Sequence, residues 1–289
     1  MRVSLTKLPK YPWWGTGTPA YENNLAMKLG ATPNQQLVEK QHQSVFQTLQ
    51  KYAQVELFPF PQELDTNALN KHDFVFTRDG FISNQRGDIV ISNFAERERQ
   101  AEAELMANYL EKKGYRLHRL SANSYAEGGE FYYAPKDDLL FAGICRNNME
   151  GIIETAKLLN IKNIQIVKSD SFHLDTVFTL LLDSKGYLAG IIVCLDLIKN
   201  KEEIEEFAKK KNIELINVRP IDTIDNDGEG RITVNCLSLP GFLLGGDEFK
   251  TPGVEQKIKN LGIKHIITSV SQFKMSGGGI HCLVNELVC

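Results

Sequence analysis

The chain has 289 residues, 42% hydrophobic and 24% charged, ordinary globular values that exclude general disorder and allow a substantial core. Its 33 basic residues stand against 36 acidic ones, a net charge of −3 without a basic stripe, which argues against nucleic acid or an anionic membrane as main partner. The longest apolar stretches, such as YLAGIIVCLDLI, are too short and too interrupted to span a bilayer, and MRVSLTKLPKYPWWG lacks an apolar core followed by a cleavage site. Cys145, Cys194, Cys236, Cys282 and Cys289 are odd in number and form no CxxC pair, so we expect a reduced, cytoplasmic protein without structural zinc.

In chain order, a helix-patterned segment followed by a short apolar strand recurs five times. The segments are NQQLVEKQHQSVFQTLQKY then QVELFPF, ERERQAEAELMANYLEKKG then YRLHRL, and NMEGIIETAKLLN then IKNIQIV. KEEIEEFAKKKN then IELINV, and PGVEQKIKNLG then IKHIITS, complete the set. Each helix carries a one-sided apolar stripe, and several stop at Lys plus Gly or Asn. Between them lie paired strand-like runs joined by turn signals, such as DFVFTRDGFISNQRGDIVISNF, EFYYAPKDDLLFAGI and TVFTLLLDSKGYLAGIIV. One hairpin, one helix and one strand, repeated five times, imply a closed α/β ring in a single domain spanning residues 1–289. A doubly wound sheet would need a glycine fingerprint opening a helix after the first strand, and none is present.

Four polar segments interrupt this pattern at strand ends: FTRD (76–79), AEGGE (126–130), FHLDTVF (172–178) and GGGIHC (277–282). Each has a bland explanation. Asp79 before Gly is a common turn residue, and Glu127 before Gly-Gly an ordinary loop carboxylate. His173 can be a satisfied core histidine and Cys282 a buried thiol. Together they are less bland. If HLD lies on a strand, the period of two puts His173 and Asp175 on one face, an arrangement disfavoured unless that face meets a ligand. Equivalent ends of repeated modules converge at the centre of a ring. There, one thiol, one imidazole and three carboxylates would meet, with no metal-ligand spacing and no need of a cofactor.

Several carboxylates around a nucleophile suit a planar cation, and a guanidinium takes paired N–H···O bonds from carboxylates. Its carbon is a poor electrophile, and a thiolate is among the few side chains able to attack it. Three glycines before Cys282 would let such a flat substrate lie against the backbone.

In these four segments, in their order and separation, the sequence resembles the guanidino-group modifying, or pentein, superfamily. That group contains arginine deiminases, dimethylarginine dimethylaminohydrolases, agmatine deiminases and amidinotransferases. The resemblance implies a five-bladed α/β propeller. It implies Cys282 as nucleophile, His173 as general acid and base, Glu127 as its partner, and Asp79 and Asp175 on the guanidinium nitrogens. Arg99 in ERERQAE and Arg146 in GICRNN match arginines that hold the carboxylate end of the substrate. The expected activity is hydrolysis of arginine or a close guanidino analogue through a covalent thiouronium. The alternatives are amidino transfer to an amine and a ring that only binds; a homo-oligomer stays open. HLDTVF looks most like arginine deiminase, but the chain is shorter and lacks that family's arginine near Ser276 and Gly277. Its length is nearer the dimethylarginine hydrolases, which generally lack the counterpart of Asp175.

Overall fold

The structure is a computed structural model that describes residues 1–11, 32–66, 73–223 and 232–288. Cys289 lies outside these residues. Among them are fifteen strands in five three-stranded sheets. In the sheet β3 (Phe81–Ser83), β4 (Asp88–Ile91), β5 (Arg116–Arg119), the first two strands form an antiparallel hairpin. The helix Gln100–Lys112 then crosses over and returns β5 parallel to β4. The same plan builds β6 (Phe131–Ala134), β7 (Leu139–Gly143) and β8 (Asn163–Val167). It recurs in β9 (Phe178–Leu182), β10 (Leu188–Val193) and β11 (Glu214–Asn217). β12 (Leu237–Leu239), β13 (Phe242–Gly245) and β14 (Lys264–Ile267) form the next. The remaining sheet joins distant parts of the chain: β15 (Val284–Val288) pairs antiparallel with β1 (Arg2–Thr6), which pairs parallel with β2 (Gln54–Phe58).

The helices form for local reasons. Asn34 and Asn148 cap theirs by accepting the N–H of Leu37 and of Gly151. Stops use the left-handed region, with φ of +82° at Gly114, +53° at Asn212 and +72° at Gly262. In the helix Gln100–Lys112 the buried face is Ala103, Met106, Ala107 and Leu110, which pack on Phe58, Phe81, Ile89 and Phe94. That spacing is the stripe expected from the sequence.

β3, β6, β9, β12 and β15 are the inner strands of the ring, and side chains bridge between sheets. Thr179 Oγ1 on β9 donates to Cys236 O beside β12 at 2.9 Å, and Ser83 Oγ on β3 donates to Leu287 O on β15 at 2.9 Å. A narrow cavity of about 20 Å³ remains between them, lined by Arg78, Tyr132, Leu180, Ser238, His281 and Glu286 among others. No helix among the described residues is long and apolar enough to cross a membrane.

Leu110 is fully buried under β4 and its neighbours. Leu110→Ala should lower the unfolding free energy by about 3 kcal/mol, from lost transfer energy plus the cavity left behind. Urea titration of the two proteins measures it; a change below about 1 kcal/mol would contradict this packing.

Candidate active site

The candidate side chains sit at equivalent places: each just precedes an inner strand. Asp79 lies in the 3₁₀ turn Thr77–Gly80 before β3, and Glu127 immediately before the turn Gly128–Glu130 that leads into β6. His173 and Asp175 belong to the turn Leu174–Thr176 and its start, ahead of β9. Cys282 is in the short helix Ile280–Leu283 before β15. HLD is therefore not on a strand as expected. The tight turn, rather than a period of two, brings Asp175 inward with its neighbours.

His173 Nε2 lies 2.9 Å from Glu127 Oε2, and its Nδ1 is 3.8 Å from Asp79 Oδ1. All three are buried. A methyl group on Gly129 would come within 2.6 Å of His173 Nδ1 and 2.8 Å of Asp79 Oδ1, so the EGG glycine makes room for this trio. Asp79 Oδ2 accepts from Arg99 Nη1 at 2.8 Å, and Arg99 also pairs with Glu102 through Nε and Nη2. Arg99 is only 2% exposed. This differs from the expected carboxylate grip on a substrate: the guanidinium lies inside the protein, holding Asp79. Its sequence neighbour at i+3, Glu102, is the signal that could have indicated it.

Asp175 Oδ2 is shared by two groups. His281 Nδ1 is 2.8 Å away and Cys282 Sγ 3.4 Å away. His281 stacks on Tyr132 with centroids 4.1 Å apart. Asn235, which the sequence reading did not single out, completes the set with Nδ2 3.2 Å from Cys282 Sγ. It precedes β12, the one inner strand left without a functional residue by the sequence reading, and counting repeats would have pointed to it. Asp79 Oδ1 and Asp175 Oδ1 are buried with no hydrogen-bond partner among the described residues.

The glycines before Cys282 answer to protein neighbours. A Cβ on Gly278 would lie 2.1 Å from the Phe76 ring, and one on Gly279 2.6 Å from Asn235 Oδ1. The space beside their backbone is thus filled by Phe76 and Asn235, in place of the flat substrate expected there. Glu130 was also missed. Fully buried, it accepts the backbone N–H of Arg146 at 2.6 Å and of Leu174 at 2.9 Å, tying two site segments together. Arg146 stands with its guanidinium carbon 4.2 Å from the Phe172 ring centre, and with Glu127 and Glu96 oxygens at 3.6 and 3.7 Å. No group of three or more His, Cys, Asp or Glu among the described residues could hold a metal ion.

A family model for N,N dimethylarginine dimethylhydrolase of the eukaryotic type matches residues 18–289. The chain belongs to that family. It is also similar to two bifunctional arginine dihydrolase/ornithine cyclodeaminases: 26% identical over 249 residues to AgrE of Nostoc and 24% over 216 residues to ArgZ of Synechocystis. The matches cover 84% and 73% of this chain but only 32% and 28% of those proteins, so the chain spans about a third of their length. Among solved structures, the N-terminal domain of ArgZ, as a cysteine-to-serine mutant bound to substrate, superposes with a TM-score of 0.79 at 20% identity, over 99% of this chain and 98% of that one. The dimethylarginine dimethylaminohydrolase of Pseudomonas aeruginosa, complexed with citrulline, gives 0.72 at 17% identity, over 98% and 97%. The fold is the five-bladed α/β propeller of the pentein superfamily.

Burial acts on every charge in this family member's centre. For His173 it favours the neutral ring, but Asp79 and Glu127 outweigh it and push the pKa up to about 9. Glu127 is held below its usual range: burial works to raise it, and the His173 bond and charge overcome that. Burial, reinforced by Asp79, raises Asp175 to about 7 against the pull of His173. Burial first, then Asp175 and Asp79, push Cys282 well above the ordinary thiol value. Chemistry that needs His173 as an acid and Asp175 as an anion requires pH below about 9 and above about 7. The pH dependence of kcat/KM should be a bell between those limbs, which belong to the coupled cluster. A rate that keeps rising past pH 10, about a unit above the His173 value, would exclude His173 as the acid.

Proposed function

We propose that the protein is a cysteine hydrolase acting on the guanidine carbon of arginine or a close analogue. The observation that carries this reading is the pair of buried carboxylate oxygens without a hydrogen-bond partner, Asp79 Oδ1 and Asp175 Oδ1, beside a buried thiol. Two such oxygens fit two N–H edges of one guanidinium, and the cation relieves their burial cost. Entry of that positive charge stabilises the thiolate, and the Sγ proton leaves to Asp175 Oδ2. Sγ attacks the guanidine carbon, forming a C–S bond. His173, protonated, gives its proton to the departing nitrogen, and the C–N bond breaks to leave an S-alkylthiouronium. Neutral His173 then takes a proton from water, whose oxygen attacks the same carbon. The C–S bond breaks as the new hydroxyl gives its proton to the departing thiolate, Asp175 passes its proton to the released ammonia or amine, and a ureido product departs. Glu127 stabilises the imidazolium whenever it forms; Arg146, buried beside Glu127 and Phe172, receives the substrate carboxylate.

The relatives' names fit this class: arginine dihydrolases on one side, dimethylarginine hydrolases on the other. Membership of the dimethylarginine family favours a second reading, in which the leaving group is a methylated amine. Asp175 favours the unsubstituted guanidine, because a dimethylated nitrogen cannot donate to its free oxygen. Losing that charge-assisted bond costs roughly 1.5–3 kcal/mol, about one to two decades in rate.

A panel of guanidino compounds, assayed for ureido product and released amine, tests both readings. Plain arginine should exceed asymmetric dimethylarginine in kcat/KM by at least about tenfold, and Asp175→Ser should narrow the gap. A wild-type preference for the dimethylated compound establishes the second reading instead. On the preferred substrate, Cys282→Ser should abolish turnover while leaving the fold intact, since a hydroxyl is a far weaker nucleophile toward guanidinium. Activity above roughly a tenth of wild type would rule out the covalent route. Arg146→Ala should raise KM for arginine and leave agmatine, which has no carboxylate, unaffected. Equal losses on both would assign Arg146 a purely structural task.

A further inference from the structure

We propose that Asn235 is a catalytic residue whose side-chain amide donates to the Cys282 sulfur, stabilising the thiolate and fixing it against Asp175. This rests on Cys282 as the nucleophile and adds a group that neither the family match nor the relatives' names assign.

The contact is part of a complete set. Asn235 Nδ2 is 3.2 Å from Cys282 Sγ and 3.0 Å from Asp175 O, so both of its hydrogens have acceptors. Asn235 Oδ1 accepts the backbone N–H of Cys282 at 3.2 Å. That last bond settles which end of the amide is which, because only an oxygen can meet an N–H. The backbone carbonyl of Asn235 accepts the N–H of His281 at 3.3 Å. The residue is 1% exposed, and Gly279 provides the space its oxygen occupies. One side chain thus ties the nucleophile's backbone, its sulfur and the backbone of Asp175 into one unit.

The chemistry explains why an amide serves here. A thiol in this place needs help to ionise, since Asp175 and Asp79 both oppose its negative charge. A lysine or an imidazolium against the sulfur would provide it, but would also repel a guanidinium. A neutral donor stabilises the sulfur anion without adding a positive charge that competes with the substrate. The other ionisable groups around the thiol are His281 on its own helix, bonded to Asp175, Arg78, whose Nε lies 3.4 Å from His281 O, and His173. Among the described residues none of these groups donates a hydrogen bond to the sulfur, whereas Asn235 does.

The test is the pH dependence of Cys282 alkylation by iodoacetamide, read on the Cys282 peptide by mass spectrometry because Cys145 is exposed and also reacts. Asn235→Ala and Asn235→Asp, which keeps the shape but loses the donor, should each raise the midpoint by about one pH unit or more. Both should lower kcat about 100-fold with little change in KM, as loss of a preorganised donor does. An unchanged alkylation midpoint in a cooperatively folded Asn235→Ala protein would overturn the proposal, as would an unchanged kcat. If both variants fail to fold, the wild-type Asn235 Nδ2 proton resonances decide. They should move downfield with the thiol's own titration; stationary resonances overturn the assignment. Alkylation involves no guanidine, so its outcome is independent of which substrate, if any, the protein turns over.

Discussion

Everything at the centre of this ring depends on keeping charges in a place without water. An ion moved into such an interior loses hydration worth several kcal/mol, and a buried charge stripped of its partner costs about 3–5 kcal/mol. The protein answers with partners in sequence: Glu102 for Arg99, Arg99 for Asp79 and Glu127 for His173, while His281, kept neutral by burial, gives Asp175 a hydrogen bond. Among the described residues, the buried atoms left without a hydrogen-bond partner include one oxygen on each of Asp73, Asp79 and Asp175, together with Arg78 Nη2 and His281 Nε2. The same burial that makes these groups expensive also shifts their protonation, leaving an imidazolium beside carboxylates and a thiol that resists ionisation.

The ring geometry makes such a centre possible. Four modules of the same hairpin–helix–strand plan, and a fifth in which β15 pairs with β1 instead of a hairpin, each present the entry of an inner strand to one axis. A tight turn or short helix stands at four of those entries, and at the fifth the segment carrying Asn235. Residues distant in sequence, such as Asp79 and Cys282, become neighbours without any long loop. The polar groups of the centre are distributed, one or two per module, while the outer helices bury apolar stripes and one of them adds Glu102 as partner to Arg99.

The repeat was legible in the sequence because it is written in periodicity, which burial of one face enforces on every helix and strand. The polar residues at strand entries were legible because they violate that periodicity. Four things were not. The 3₁₀ turn at Leu174–Thr176 follows an apolar-polar alternation that reads equally well as strand. The role of Arg99 depends on which way a long side chain points, and its inward course is set by Asp79, twenty residues away. The glycines before Cys282 were read against an absent ligand, although Phe76 and Asn235 occupy the space, contacts with no trace in local sequence. Glu130 is similar: Gly143 is small because a Cβ there would lie 1.9 Å from its carboxylate, a relation visible only in three dimensions.

The sheet that joins β15 to β1 has a consequence for how the protein comes to life. Its strands are separated by nearly the whole chain, so this pairing carries the largest loop-closure cost and belongs among the slow events of folding. Cys282 stands two residues before β15. Its place against Asp175 and Asn235 is therefore set only when this last, long-range seam closes.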